Sequence, residues 1–493
     1  MGTYAFSLDI SFKYGIINNC GHPLQHPIIE VFYFMKIKKF IGDKAFYKMV
    51  LALTIPIIIQ NGITNFVNLL DNVMVGQLSP EEFAGTGIAN QLMFVCNLAI
   101  FGGLSGSGIF TAQFFGKNDR EGIRHTMRFK LYTVLILLVI GAAILIPFGK
   151  PLISAFLTDD GQTGDVNLAL SYGYKYLLVA LISLIPAALA QVYASTLRET
   201  GHTVLPMIAS VAAVLANAVF NYILIFGKLG LPALGVVGAA LGTVIARVIE
   251  LCIVLIWSHA NAPQIPYIKG VYHSFKIPAD LSRRILVKCL PLLGNEFLWS
   301  SGMAILNQCY STRGMAAVNA INMSTTVTNL FNIVFISLGT SLAILVGNQL
   351  GAGKIEEAKD TDRKIIAFSM VACTVVAALM VACSPLFTMM YNTTDEIKAL
   401  AASLIAVCAC MMPFDSFAQN CYFTLRSGGQ TFITFLFDSA FVWIISIPTA
   451  FALSRFTDLP LIPLFIICTS LNLLKCIIGA LMLKSGRWAK RLV

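Results

Sequence analysis

The chain has 493 residues, with 34 Lys and Arg against 24 Asp and Glu, a formal charge of +10, and a mean hydropathy of +0.78. Only 12% of its residues are charged while 57% are hydrophobic, a surface no soluble globule tolerates, so lipid is the solvent for most of the chain. The positive excess sits in short loops between apolar runs, which reports membrane topology and excludes nucleic acid as the natural partner.

Residues 1–44 read as a cytoplasmic N-terminal extension. Cys20, His22 and His26 form no targeting signal, and Met35 followed by Lys36, Lys38 and Lys39 is an ordinary start for an inner-membrane protein, so the first 34 residues are expected to be disordered or a mis-assigned start. Apolar runs then recur at 47–75, 88–114, 131–148, 171–196, 204–226, 234–257, 285–310, 315–349, 365–390, 398–423, 431–453 and 461–483. Each is long enough, at about 1.5 Å per helical residue, to cross ~30 Å of hydrocarbon. Twelve transmembrane helices are therefore predicted.

Lys and Arg cluster before the first run, between the second and third (Lys117, Arg120, Arg124, Arg128, Lys130), in the central loop, between the eighth and ninth, and in the tail. The alternate loops carry acids such as Glu81, Glu82, Asp159, Asp160, Asp395 and Glu396. The positive-inside bias places both termini in the cytoplasm and makes the span count even. Nearly all of the 12 cysteines lie inside spans and none forms Cys-x-x-Cys, so they read as small apolar packing residues.

The phrase Ala-Gln-x-x-x-x-Thr-Leu-Arg-x-x-Gly-x-Thr occurs twice, from Ala190 to Thr203 and from Ala418 to Thr431. Other correspondences, Pro56 with Pro291, the loop from Gln113 with that from Asn348, and Arg247 with Lys475, register the halves at an offset of about 228 to 235 residues. The expected fold is an all-α membrane protein with two six-helix lobes, residues 45–258 and 285–484, related by a pseudo-two-fold axis along the membrane normal. A Pro-rich cytoplasmic linker, 259–284, joins them and a tail, 485–493, follows.

An ionisable side chain within a span costs about 2.5–3.5 kcal/mol and so marks a site. Asp71 in the first span has Leu306 as its repeat mate. Asn217 and Asn221 share one face of the fifth span, and Thr243 in the sixth reaches the same depth. Carboxylate, amide and hydroxyl form an oxygen set suited to a hard monovalent cation or to a protonatable Asp, with structural hydrogen bonding between helices as the alternative. Glu296 and Asp415, whose mates are Asn61 and Ala187, form a second acidic pair near mid-membrane, where a sodium ion, a proton or a cationic solute relieves buried negative charge. Arg247 and Glu250 are expected to be a satisfied intrahelical pair. Met93, Phe94, Phe335, Phe414 and Phe417 are candidates to line an apolar cavity.

The run Asp71 to Gly76, the loop Gln113 to Asp119, both Leu-Arg-x-x-Gly phrases, and Asn295 with Glu296 after Pro291 resemble, in this order, the multidrug and toxic compound extrusion (MATE) family, nearest its NorM-like bacterial branch. The resemblance spans residues 45–490. It implies a two-lobe antiporter that exports organic cations or other amphipathic molecules in exchange for Na+ or H+, with cation sites at Asp71, Asn217, Asn221 and Thr243 and at Glu296 and Asp415. Asn221 stands where some members carry a second Asp, leaving that site one negative charge fewer. A monomer in the bacterial inner membrane, with no cofactor beyond the coupling ion, is expected. No nucleotide loop, His-Glu-x-x-His or Gly-x-Ser-x-Gly supports a pump or an enzyme. A flippase for lipid-linked precursors and a channel are the alternatives within membrane transport.

Overall fold

The computed structural model describes residues 39–157, 165–389, 391 and 393–493. The expected N-terminal extension, up to residue 38, and the loop acids Asp159 and Asp160 lie outside them.

Among the described residues twelve membrane-scale helices follow in order: α1 Lys44–Val75, α2 Pro80–Gly116, α3 Arg120–Ser154, α4 Val166–Glu199, α5 Val204–Phe226, α6 Gly235–Ala260, α7 Ala279–Ser311, α8 Met315–Gly351, α9 Ile355–Met389, α10 Asp395–Ser427, α11 Thr431–Phe456 and α12 Leu461–Lys484. Eleven are both long and apolar enough to cross a bilayer; α7 has the length, but Asn295, Glu296, Asn307 and Gln308 lower its hydropathy. The helices overrun the apolar stretches because polar flanks are helical too. Asp119 caps α3 by accepting from the Gly122 N–H, and α2 opens on a Ser79/Glu82 capping box with Pro80 in the first turn. Residues 120–130, read from sequence as a charged loop, thus form the first turns of α3.

The first six helices pack into one lobe and the last six into the other, and the lobes meet through α1 with α8, α7 with α2, and α2 with α8. The seam repeats its own chemistry. Thr54 Oγ1 donates to Ser341 Oγ at 2.9 Å, and the repeat mates of these residues, Cys289 and Gly106, touch in the same way: a Cβ on Gly106 would stand 2.6 Å from Cys289 Cα. Nearer mid-membrane, Asn61 Nδ2 donates to Ser337 Oγ at 3.2 Å, while their mates Glu296 and Gly102 abut. At the ends of α2 and α8, Gly116 lies against the Asn348 carbonyl and Gly351 against that of Gln113, a reciprocal contact that places the pseudo-two-fold axis between them.

These contacts lie between mid-membrane and the side carrying the basic loops, called here the basic side. Among the described residues, no side-chain hydrogen bond joins the lobes in the opposite, acidic half. The tail reinforces the basic-side closure: Gln113 Nε2 donates to the Ser427 and Lys490 carbonyls at 3.1 and 3.2 Å, and its Oε1 accepts from the Leu492 N–H at 2.7 Å. The linker is also packed. Ile265 and Val271 are buried, and Arg124 and Arg128 donate to the Tyr267 and Val271 carbonyls at 3.2 and 2.8 Å, pinning it to the first lobe.

Candidate functional site: a first-lobe cavity and a duplicated polar ladder

A cavity of about 500 Å³ opens within the first lobe, towards the acidic ends of α1, α2, α4, α5 and α6. Asp71, Asn217, Asn221 and Thr243 all line it. Asn221 Nδ2 donates to Asp71 Oδ1 at 2.7 Å and to Asn217 Oδ1 at 3.2 Å, and Asn217 Nδ2 donates to Thr243 Oγ1 at 3.3 Å. The Asn221 amide oxygen is buried with no donor, an unmet hydrogen-bonding need at the cavity wall.

Met93 and Phe94 line the same cavity, and so do Arg247 and three residues that sequence analysis passed over: Asn90, Asn97 and Tyr176. The Tyr176 hydroxyl donates to Asn90 Oδ1 at 2.9 Å. Asn90 and Asn97, seven residues apart on the face shared with Met93, were the available signal, since two intramembrane amides on one helical stripe point to a polar wall. Phe335 is buried in an apolar cluster with Cys373, Met380 and Met412, Phe417 packs against a second cluster, and Phe414 is exposed, so none of these three lines this cavity. Leu306, the mate of Asp71, is buried among apolar side chains. Among the described residues the oxygen set is not repeated in the second lobe, where the mates of Asp71, Asn217 and Thr243 are Leu306, Ile445 and Leu471.

In the second lobe the acids are separate. Asp415 Oδ1 accepts from Asn472 Nδ2 at 2.9 Å, while Glu296 sits at the lobe seam against Gly102. The charged groups acting on Glu296 are Arg426 and Asp438, and the one acting on Asp415 is Lys475. What connects the two is a group centred on Asp438, which sequence analysis did not single out: Asp438 Oδ1 accepts from Lys475 Nζ at 2.7 Å, and its Oδ2 accepts from Asn295 Nδ2 at 3.1 Å. Asp438 lies in a π-helical stretch of α11, Leu436–Ala440, whose extra residue per turn also turns Ser439 Oγ onto Asn295 Oδ1 at 2.7 Å.

That group has a twin. In the first lobe Arg198 Nη1 donates to Gln60 Oε1 at 3.1 Å, Gln60 Nε2 to Ser210 Oγ at 2.9 Å, and Ser210 Oγ to Glu250 Oε1 at 2.8 Å, while Arg247 pairs with Glu250 at 2.7 Å. The repeat mates of Gln60, Ser210 and Arg247 are Asn295, Asp438 and Lys475. Both lobes thus carry a buried ladder of amide, oxygen acceptor and cation. In one the carboxylate stands on α6 as Glu250, and in the other on α11 as Asp438. The Arg247–Glu250 pair is satisfied, as expected, and it is also one end of a chain that reaches Arg198 at the basic side.

The MatE family model matches residues 56–223 and 291–452, one match in each lobe. The chain belongs to the MatE family. Relatives of this MatE chain include a probable multidrug resistance protein NorM of Halalkalibacterium halodurans, 24% identical over 84% of this chain and 88% of its own length. Another is the probable NorM of Thermotoga maritima, 24% identical over 90% and 94%. The multidrug resistance protein MdtK of Edwardsiella ictaluri is 26% identical over 83% and 87%. Among solved structures, a MATE protein in complex with MaL6 superposes with a TM-score of 0.80 at 20% identity, covering 92% of this chain and 99% of that one. An outward-facing multidrug resistance MATE transporter of the MOP superfamily gives 0.79 at 19%, covering 91% and 98%. The two-lobe, twelve-helix fold is that of MATE transporters, and the MatE chain is a multi-pass membrane protein of a multidrug efflux transporter family.

Proposed function

We propose that this protein is a secondary antiporter of the bacterial inner membrane, with the basic side and both termini in the cytoplasm, acting as a monomer. It exchanges a monovalent cation, Na+ or H+, for organic cations or amphipathic molecules. The observation that carries this reading is a single-carboxylate polar site facing a cavity of about 500 Å³ in the acidic half, while among the described residues side-chain hydrogen bonds join the lobes only in the basic half. This is the geometry of an outward-facing state.

Asp71 holds the one negative charge of the cavity's oxygen set, with Arg247 in the same lining. A cation bound there neutralises it, and turning the Asn221 amide supplies the oxygen that now lacks a donor. A positively charged solute competes for the same charge, and competition of two cations for one carboxylate is a minimal mechanism of exchange. In the second lobe Glu296 has no such cage. It stands at the lobe joint where its mate Asn61 makes a neutral hydrogen bond to Ser337, so neutralising Glu296 removes a buried charge from the surface across which the lobes move.

The test is dye efflux from reconstituted vesicles under Na+ and pH gradients imposed separately. One gradient should accelerate release in the wild type, and Asp71→Asn, Glu296→Gln and Asp415→Asn should each abolish the acceleration at unchanged membrane levels. Wild-type exchange in all three variants would refute the coupling scheme, and release indifferent to both gradients would refute antiport.

A further inference from the structure

A second, smaller cavity of about 110 Å³ lies on the basic side, and its walls come from both lobes. They come in repeat pairs: Ser105 with Thr340, Ile109 with Ile344, and Arg198 with Arg426. The cavity therefore sits on the pseudo-two-fold axis, with one guanidinium contributed by each lobe. Both arginines belong to the duplicated phrase, one from each copy.

A guanidinium has five N–H donors. Arg198 spends one on Gln60 Oε1 at 3.1 Å; Arg426 makes a long contact of 3.4 Å to the Ser105 carbonyl and rests over the Phe423 ring at 5.7 Å. The one carboxylate in the lining, Glu199, gives Oε2 to Lys130 at 2.5 Å, and Lys130 is fully buried and also donates to Ser195 and Thr196 at 3.1 Å; Oε1 lies against Gly108 in the cavity wall, and the carboxylate also acts on Arg198. Glu296 acts on Arg426 from the mid-membrane side but does not line the cavity. Two guanidinium groups with donors to spare thus face one cavity that holds a single carboxylate, itself shared with Lys130, and an anion between them offsets the excess positive charge and meets the unused donors.

We propose that this axial cavity binds a small monovalent anion, a halide or a carboxylate, between Arg198 and Arg426. Because each lobe supplies one arginine, the anion binds only when the basic side is closed, and it favours that state over the one open to the cytoplasm.

The experiment uses the full-length protein in nanodiscs at constant ionic strength, titrated with chloride, formate or gluconate, the last being too large for the cavity. Two readouts are followed: the thermal unfolding midpoint, and the distance between spin labels at Lys117→Cys and Lys354→Cys, exposed positions flanking the axial contact. Chloride or formate should raise the midpoint saturably and enrich the short-distance population, while gluconate does neither. Arg198→Gln and Arg426→Gln should each weaken the half-saturating concentration at least tenfold. A wild type that responds equally to chloride, formate and gluconate overturns the proposal, as does an undiminished response in the double variant. If the Gln variants do not fold, Thr340→Glu, which places a carboxylate in the cavity wall, should abolish the response, and its persistence is equally decisive against it. None of these readouts depends on which cation drives transport, so loss of antiport and loss of the anion site are separable.

Discussion

Gly106→Ala tests whether the basic-side seam is a conformational joint or ordinary packing. A Cβ at Gly106 would stand 2.5 Å from Cys289 Sγ, 2.6 Å from Cys289 Cα and 2.7 Å from its backbone nitrogen. Unstrained carbon contacts sit at about 3.5–4.0 Å, so α2 and α7 must part by roughly 1 Å. The sulfur can rotate away; the backbone atoms cannot. Overpacking of this kind costs about 1–3 kcal/mol. Because α2 and α7 belong to different lobes, the strain falls on the closed state and is released when the lobes separate. The equilibrium should therefore move towards the basic-side-open form by about 5- to 150-fold, with little loss of stability within either lobe. Spin labels at Lys117→Cys and Lys354→Cys read this directly: a longer-distance population should grow in Gly106→Ala and shrink again on cooling or on occupation of the axial cavity. Gly103→Ala, whose methyl would meet only the ends of the Leu137 and Thr133 side chains within the same lobe, is the control. An unchanged distance distribution in Gly106→Ala, or an equal shift in Gly103→Ala, would refute the assignment of this seam as the joint.

The ladder in the first lobe predicts that Ser210→Ala leaves the Gln60 amide and Glu250 Oε1 without their shared partner and costs about 1–3 kcal/mol in unfolding free energy, whereas Ser210→Thr, which keeps the hydroxyl, costs less; thermal unfolding of the purified protein checks the order. Lys130 is fully buried beside Glu199, so Lys130→Met alone should destabilise by about 3–5 kcal/mol, and the double variant with Glu199→Met should recover most of it; equal unfolding midpoints for single and double variants would show that the pair is not coupled. Asn221→Asp restores a second carboxylate beside Asp71, 2.7 Å from the present amide nitrogen, and should raise the concentration of cationic dye retained at low Na+ and high pH; equilibrium binding at two pH values measures it, and unchanged retention would argue against Asp71 as the charge that cargo and ion share.

The sequence was sufficient for whatever depends on composition and order alone. Mean hydropathy and run lengths determine a membrane protein with twelve helices, the alternation of basic and acidic loops sets which ends lie together, and the repeated phrase from Ala190 and Ala418 makes two lobes. It also grouped Asp71 with Asn217, Asn221 and Thr243, because helical spacing fixes faces and residue count fixes depth. The three-dimensional arrangement decided what crosses between helices. Spacing along one helix does not say which neighbour a side chain meets, so the ladder through Gln60, Ser210 and Glu250, spread over three helices and joined by hydrogen bonds, left no local trace. Asp438 gained its role from a π-helical turn, which no residue pattern announces. Glu296 and Asp415, similar in depth, are divided between the lobe seam and a partner on α12, a distinction that exists only once the lobes are packed. Arg198 and Arg426 look like anchors on separate helices and face one another's cavity only because a two-fold axis passes between them. Local periodicity is a property of the chain; proximity of residues hundreds of positions apart is a property of closure, and the chemistry of this protein resides in the second.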